Sequence, residues 1–129
     1  MGVAITGVIL SSCEGIYYAK SSLKEQKIVV SRSELVNEKG KLRKYILIKS
    51  DQYAFPICLQ ILGDEQYLAV LLECTHRSCE LNVGGGIYTC PCHGSEFSKE
   101  GKVLEGPADK ELKKFNVKND QEFIYVELV

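Results

Sequence analysis

Two short segments of this chain concentrate groups able to hold a metal: Cys74-Thr75-His76-Arg77-Ser78-Cys79 and Cys90-Pro91-Cys92-His93-Gly94-Ser95. Four of the six cysteines and both histidines fall between positions 74 and 93. A disulfide framework staples distant parts of a small secreted fold, whereas this crowding gathers thiols and imidazoles into two arms, a pattern of metal ligation. In an extended loop, residues two apart point the same way, so Cys74 and His76 reach one volume together. Pro91 fixes its own φ and favours a bend that lets Cys90 and His93 converge. Each arm therefore offers one sulfur and one nitrogen, with Cys79 and Cys92 in addition.

These donors need a scaffold. A chain of 129 residues allows one compact domain and leaves no room for a second sizeable core. Apolar residues make up 45% and charged residues 26%, with three prolines and eleven glycines, an ordinary globular composition. Sixteen Lys and Arg against seventeen Asp and Glu give a net charge of -1, without the electrostatic footprint of a nucleic-acid binder. No stretch reaches the roughly 18 uninterrupted apolar residues of a membrane-spanning helix. Charge is divided along the chain. Residues 1–50 carry nine Lys or Arg and four Asp or Glu, and residues 51–129 carry seven and thirteen. Such a split reads first as two solvated faces, and second as an acidic, cysteine-bearing half that attracts a basic partner such as a cytochrome.

Short runs rich in Val, Ile, Tyr and Leu alternate with polar breaks. Strands are expected over 28–31, 44–48, 54–61 and 67–72, then over 102–104, 113–118 and 122–129. Turns fall at 37–41, 50–52 and 63–65. Helical periodicity is limited to 31–38, where Ser33 would cap a single turn. The fold class is all-β: an antiparallel sandwich or partly open barrel, because the helices that parallel crossovers require are missing. Gly84-Gly85-Gly86 is not followed by Lys-Ser or Lys-Thr and reads as a hairpin joining the two ligand segments, not as a phosphate loop. Residues 1–13 stand apart. The apolar stretch Gly2 to Leu10 ends in Leu10-Ser11-Ser12-Cys13, which resembles a lipoprotein signal with Cys13 as the lipid anchor, yet only the terminal amine is basic before Lys20. A truncated signal and a first strand are both open readings of this segment.

The C-x-H pattern of Cys74 and His76, with the C-x-x-H pattern of Cys90 and His93, resembles the Rieske [2Fe-2S] family in its disulfide-containing form. The likeness is close from Cys74 to Phe97. It extends to Gly106-Pro107-Ala108, similar to the family's proline loop over the cluster. The resemblance implies a Rieske domain over 14–129, with a cluster-binding subdomain in loops 72–108 and one [2Fe-2S] cluster. By the same resemblance Cys74 and Cys90 hold the buried iron, His76 and His93 hold the outer iron, and Cys79 and Cys92 form a disulfide between the loops. Ser95 takes the position whose hydroxyl donates to a bridging sulfide. Two rivals remain. A closed zinc site would be satisfied by two cysteines and two histidines, but gives no role to Cys79, Cys92 or Ser95. Plant-type ligation has the C-x4-C spacing of Cys74 and Cys79, but lacks the following C-x2-C and strands both histidines.

With no nucleophile, base or substrate pocket legible beside it, such a centre is a one-electron carrier and catalyses nothing alone. The resemblance implies a redox protein partner, a cytochrome or an oxidoreductase subunit, and offers three roles. The first is the electron-transfer subunit of a quinol-oxidising respiratory chain. The second is a soluble or lipid-anchored carrier, or the small subunit of an extracytoplasmic oxidoreductase. The third is an oxygenase ferredoxin. The disulfide favours an oxidising, extracytoplasmic compartment and speaks against the third. Arg77-Ser78 replaces the apolar Leu-Gly of quinol-docking relatives and favours a protein partner. Cys58, inside an apolar run, reads as an inert buried thiol.

Imidazole in place of thiolate removes negative charge from the cluster and raises its potential to about -150 to +300 mV, against about -400 mV for all-cysteine plant-type clusters. Hydrogen-bond donors to the cluster raise it further. The highest-potential relatives have tyrosine where this chain has Phe97. Phe97→Tyr is therefore expected to raise the midpoint, measured by redox titration; a lowered midpoint contradicts the assignment.

Overall fold

The computed structural model describes residues 15–63 and 65–129. The readings of residues 1–13, including Cys13 as an anchor, lie outside them. Among the described residues, eleven antiparallel strands form two sheets. The larger contains β1 (Ser22–Lys24), β2 (Lys27–Ser31), β3 (Tyr45–Ile48), β4 (Ile57–Gly63), β5 (Gln66–Leu71), β10 (Lys114–Asn119) and β11 (Phe123–Glu127), in the order β1-β2-β11-β10-β5-β4-β3. The smaller contains β6 (Asn82–Gly84), β7 (Ile87–Thr89), β8 (Glu96–Ser98) and β9 (Val103–Glu105), in chain order. The first is a curled, partly open barrel, and the second is the subdomain that carries both ligand segments.

The wall between them is β3-β4-β5. Successive side chains of a strand point to opposite faces, and here both faces are covered. Ile46, Ile48, Ile57, Leu59, Ala69 and Leu71 enter one core, closed by Ile28 and Val30 of β2, Phe115 of β10, and Ile124 and Val126 of β11. Leu47, Cys58, Val70 and Leu72 enter the other, which they share with Leu81, Tyr88, Cys90, Phe97, Ala108 and Leu112 of the small subdomain. A strand buried on both faces reads as a continuous apolar run, as Ile57-Cys58-Leu59 does. The free edge of β3 is covered as well. Residues 16–19 run parallel to it, with Ala19 N–H donating to the Leu47 carbonyl at 2.8 Å and Leu47 N–H donating to that of Tyr17 at 2.9 Å. Tyr17 is tied down in turn, its hydroxyl donating to Glu34 Oε1 at 2.8 Å and its ring lying 3.7 Å beneath the Arg43 guanidinium.

Three details differ from expectation. The helical turn is a 3-10 segment over Arg32–Leu35 capped by Ser31, whose Oγ accepts from the Ser33 N–H at 3.3 Å; Ser33 lies inside it. The strand expected from 54 begins at Ile57, because Pro56 has no N–H for a ladder. Strands β1, β6, β7 and β8 give no alternation to read, each being three residues long. The glycine hairpin is present: Gly84 pairs with Ile87, and Gly85 and Gly86 turn the chain with φ of 63° and 81°. A two-residue turn with positive φ at both positions matches the twist of its strands, and glycine adopts it without steric cost.

Truncating Leu59, fully buried in the wall, leaves a cavity in a packed core and is expected to cost about 2–5 kcal/mol. Truncating Leu62, 44% exposed on the same strand, should stay within about 0.5 kcal/mol. Denaturant unfolding of Leu59→Ala and Leu62→Ala checks the contrast.

Candidate metal centre

Both ligand segments are hairpin tips built to one plan. Glu73 pairs with Glu80 across the neck of the first, and Thr89 with Glu96 across that of the second. In the first, the Cys74 N–H donates to the Cys79 carbonyl at 2.8 Å, and the Ser78 N–H to the Cys74 carbonyl at 2.9 Å. In the second, the Cys90 N–H donates to the Ser95 carbonyl at 2.8 Å, and the Gly94 N–H to the Cys90 carbonyl at 3.0 Å. Each loop thus closes on its first cysteine, four and five residues on. The plan requires a left-handed residue at the fourth step: Gly94 has φ of 84° and Ser78 has φ of 56°. Glycine takes that conformation freely, whereas serine pays for its Cβ. The repeat was not legible in the residues, because CTHRSC and CPCHGS share little beyond their first cysteine.

Closure at the cysteine sinks it and lifts the histidine two or three positions later. Cys74 and Cys90 are 1% and 4% exposed and belong to the core beneath, while His76 and His93 are exposed at the tips. The two imidazoles meet edge to face, with ring centroids 5.1 Å apart at 88°. Below them, burial raises the cost of ionising Cys90, but backbone donors at Cys92 and His93 and the Cys74 thiol more than offset it, holding Cys90 below the ordinary thiol value. Cys79 and Cys92 are bonded to each other, with their Cα atoms 6.5 Å apart, and clamp the tips together. The sulfurs of Cys79, Cys90 and Cys92 lie within 4.8 Å of one another. Two of those three are consumed by the disulfide, so the available soft donors of the site are the thiols of Cys74 and Cys90.

A third segment completes the site. The cis peptide between Gly106 and Pro107 leads into buried Ala108, whose N–H donates to Ser95 Oγ at 2.9 Å. Ser95 is itself fully buried. Because its oxygen accepts that bond, its own proton remains to be donated. The Thr75 hydroxyl donates to the Lys110 carbonyl at 2.7 Å, stitching the same segment to the first loop. Behind it, Gly101, with φ of 91°, lets Leu112 approach closely: a Cβ there would lie 3.2 Å from that of Leu112. The structure thus brings Cys74, His76, Cys90, His93 and Ser95 to one end of the subdomain, with the Cys79–Cys92 bridge among them. Cys58 is apart, in the core under β7, and burial pushes its thiol up to about 12. Sequence reasoning missed the Ala108 N–H as the group that orients Ser95, since a backbone donor leaves no mark in residue type.

Comparison with known proteins agrees with this geometry. A model of the Rieske [2Fe-2S] domain matches residues 17–116. The cytochrome b6-f complex iron-sulfur subunit of Synechococcus sp. (strain CC9605) is 40% identical over 77 residues, 50% of this chain and 43% of that protein. This chain spans less than half the length of the curated relatives it matches. Among solved structures, the plasma membrane Rieske protein PetC3 of Synechocystis PCC 6803 superposes with a TM-score of 0.57 at 32% identity, covering 65% of this chain and 86% of that one. A complex of reduced oxygenase and oxidized ferredoxin in carbazole 1,9a-dioxygenase contains a chain that superposes with a TM-score of 0.52 at 25% identity, covering 66% and 81%. Two loops of one plan, crossed by a disulfide and matched across 17–116, place the chain in the Rieske [2Fe-2S] family, whose domain binds one [2Fe-2S] cluster and carries electrons.

Proposed function

We propose that Cys74 and Cys90 hold the inner iron of the cluster, that His76 and His93 hold the outer iron, and that the chain passes electrons through the histidine tip as a subunit of a quinol-oxidising electron-transfer chain. The observation that carries this reading is the difference in depth: thiols in the core, imidazoles at the surface, clamped by the Cys79–Cys92 bridge. Bound there, the cluster supplies a one-electron acceptor and donor. The protein supplies the rest. The backbone donors at Cys92 and His93 favour the thiolate form of Cys90 that metal binding needs. The Ser95 hydroxyl, whose oxygen accepts from Ala108, would donate its proton to the cluster and raise its potential. Exposed His76 and His93 bring the redox centre within reach of a partner without opening the core.

The role in a quinol-oxidising chain is supported by relatives named as cytochrome b6-f complex subunits and by the disulfide, which persists in an oxidising, extracytoplasmic compartment. Among the described residues no helix is long and apolar enough to cross a membrane. One observation favours a second reading: Arg77 stands exposed at the loop tip. A guanidinium there suits an acidic protein surface better than an apolar quinol pocket. On that reading the chain is a carrier, or the small subunit of an extracytoplasmic oxidoreductase, delivering to a protein.

A redox titration followed by EPR tests the assignment. The reduced chain should give a rhombic Rieske signal, with a midpoint in the upper half of the range of about -150 to +300 mV; a midpoint below about -100 mV would indicate the oxygenase role. Ser95→Ala should keep the signal and lower the midpoint. His93→Cys should abolish the Rieske signal or carry the midpoint towards about -400 mV, and an unchanged spectrum would remove His93 from the ligand set.

A further inference from the structure

Two polar side chains other than phenols are buried among the described residues: Ser95, at the cluster site, and Gln60, which that site does not use. Gln60 is 5% exposed and lies on β4, two residues from Cys58 and on the same face. Its Nε2 donates to the phenol oxygen of Tyr88 at 3.0 Å and lies 3.8 Å from Cys58 Sγ. Tyr88 is fully buried on β7. Its oxygen accepts from Gln60, so the Gln60 amide bridges the Tyr88 phenol and the Cys58 thiol. Burial pushes the Cys58 thiol up to about 12 and raises the Tyr88 phenol well above its ordinary value, so both stay protonated and the network is neutral.

This network crosses the boundary between the two sheets. Around it the shared core is filled by apolar side chains, among them Leu47, Val70, Leu72, Leu81, Phe97 and Leu112. Apolar contacts tolerate small slides, whereas a hydrogen bond has a length and a direction, and in a low-dielectric core a broken one is costly. Gln60 therefore registers β7 against β4. The residue two beyond Tyr88 is Cys90, which faces the same core. A shift of Tyr88 along or away from the wall is a shift of Cys90 relative to Cys74, which is held from the other hairpin.

We propose that Gln60, Tyr88 and Cys58 are positioning residues for the cluster: their buried hydrogen-bond chain pins β7 to the barrel wall and so sets where Cys90 meets the metal. This rests on Cys90 being a ligand. Tyr88 and Gln60 both act through β7, the strand that leads into Cys90.

The test uses the full cluster-loaded chain, with thermal unfolding read beside the EPR g values, the linewidth and the midpoint potential. Tyr88→Phe and Gln60→Leu should each load cluster but give displaced g values, broader lines and a shifted midpoint. Tyr88→Phe also leaves the Gln60 amide buried without its partner, so it should lower the unfolding temperature. Combining it with Gln60→Leu removes that orphan, and should recover much of the unfolding temperature while the displaced spectrum persists. Cys58→Ser keeps an acceptor for the Gln60 amide and should retain the wild-type spectrum. A wild-type spectrum and midpoint in Tyr88→Phe, whatever its unfolding temperature, overturns the proposal and leaves only a stabilising contact. If Tyr88→Phe does not fold, Gln60→Leu decides by the same criterion. A wild-type spectrum in Cys90→Ser would instead overturn the ligand assignment beneath it.

Discussion

The redox end of this protein depends on a three-stranded wall that is dry on both faces. Strands β3, β4 and β5 send alternate side chains into the barrel core and into the core beneath the ligand loops. Burying each such aliphatic side chain contributes about 1.5–3 kcal/mol, so the wall belongs to both halves and couples them. A separate cluster-bearing subdomain of four strands, three residues each, would have little apolar surface to bury on its own. It is stable as the lid of the wall. Cys74 and Cys90 are members of the shared core, so the two free thiols of the loops are anchored in the same packing that holds the chain together.

On that foundation the loops produce asymmetry by a local device used twice. Closing each hairpin tip on the backbone of its first cysteine turns that residue inward, and the next two or three positions carry histidine outward. The disulfide then prevents the tips from separating. The third segment, through Ala108 and Thr75, ties each tip to a common backbone. Inner sulfur and outer nitrogen are thus consequences of loop closure. A site with buried thiols and exposed imidazoles is suited to exchange an electron at the surface while shielding the core.

Much of this was legible in the residues, and the limit has a physical basis. The long strands β2 to β5, β10 and β11 announce themselves because four to seven residues suffice for alternation to show. Three-residue strands have no period, so β6, β7 and β8 appeared only as the loops around a glycine hairpin. The two donor-bearing segments were legible because Cys and His are rare and chemically distinctive. Depth was not, since it depends on which backbone group each loop closes on. Ser78 in a left-handed conformation was hidden for the same reason: only its pairing with Gly94, sixteen residues on, shows that the plan requires it. Cys58 read as an inert buried thiol. Its burial agrees, but its contact with Tyr88 and Gln60, thirty and two residues away, could not be found from any local pattern.

The polar inventory of the shared core obeys one rule. Ser95 and Tyr88 are buried hydroxyls, and each accepts a hydrogen bond from a nitrogen: Ser95 from the Ala108 N–H, and Tyr88 from the Gln60 amide. A buried hydroxyl that must both accept and donate needs an acceptor bond to fix its rotation, otherwise its proton points wherever a lone pair is nearest. Both sites meet that need with a nitrogen donor, one from backbone and one from a side chain. Hydrophobic packing could fill the same volume with less risk of an unsatisfied group. Packing alone leaves both the direction of a proton and the register of a short strand loosely defined, and a cluster held at the edge of a shared core requires each to be single-valued.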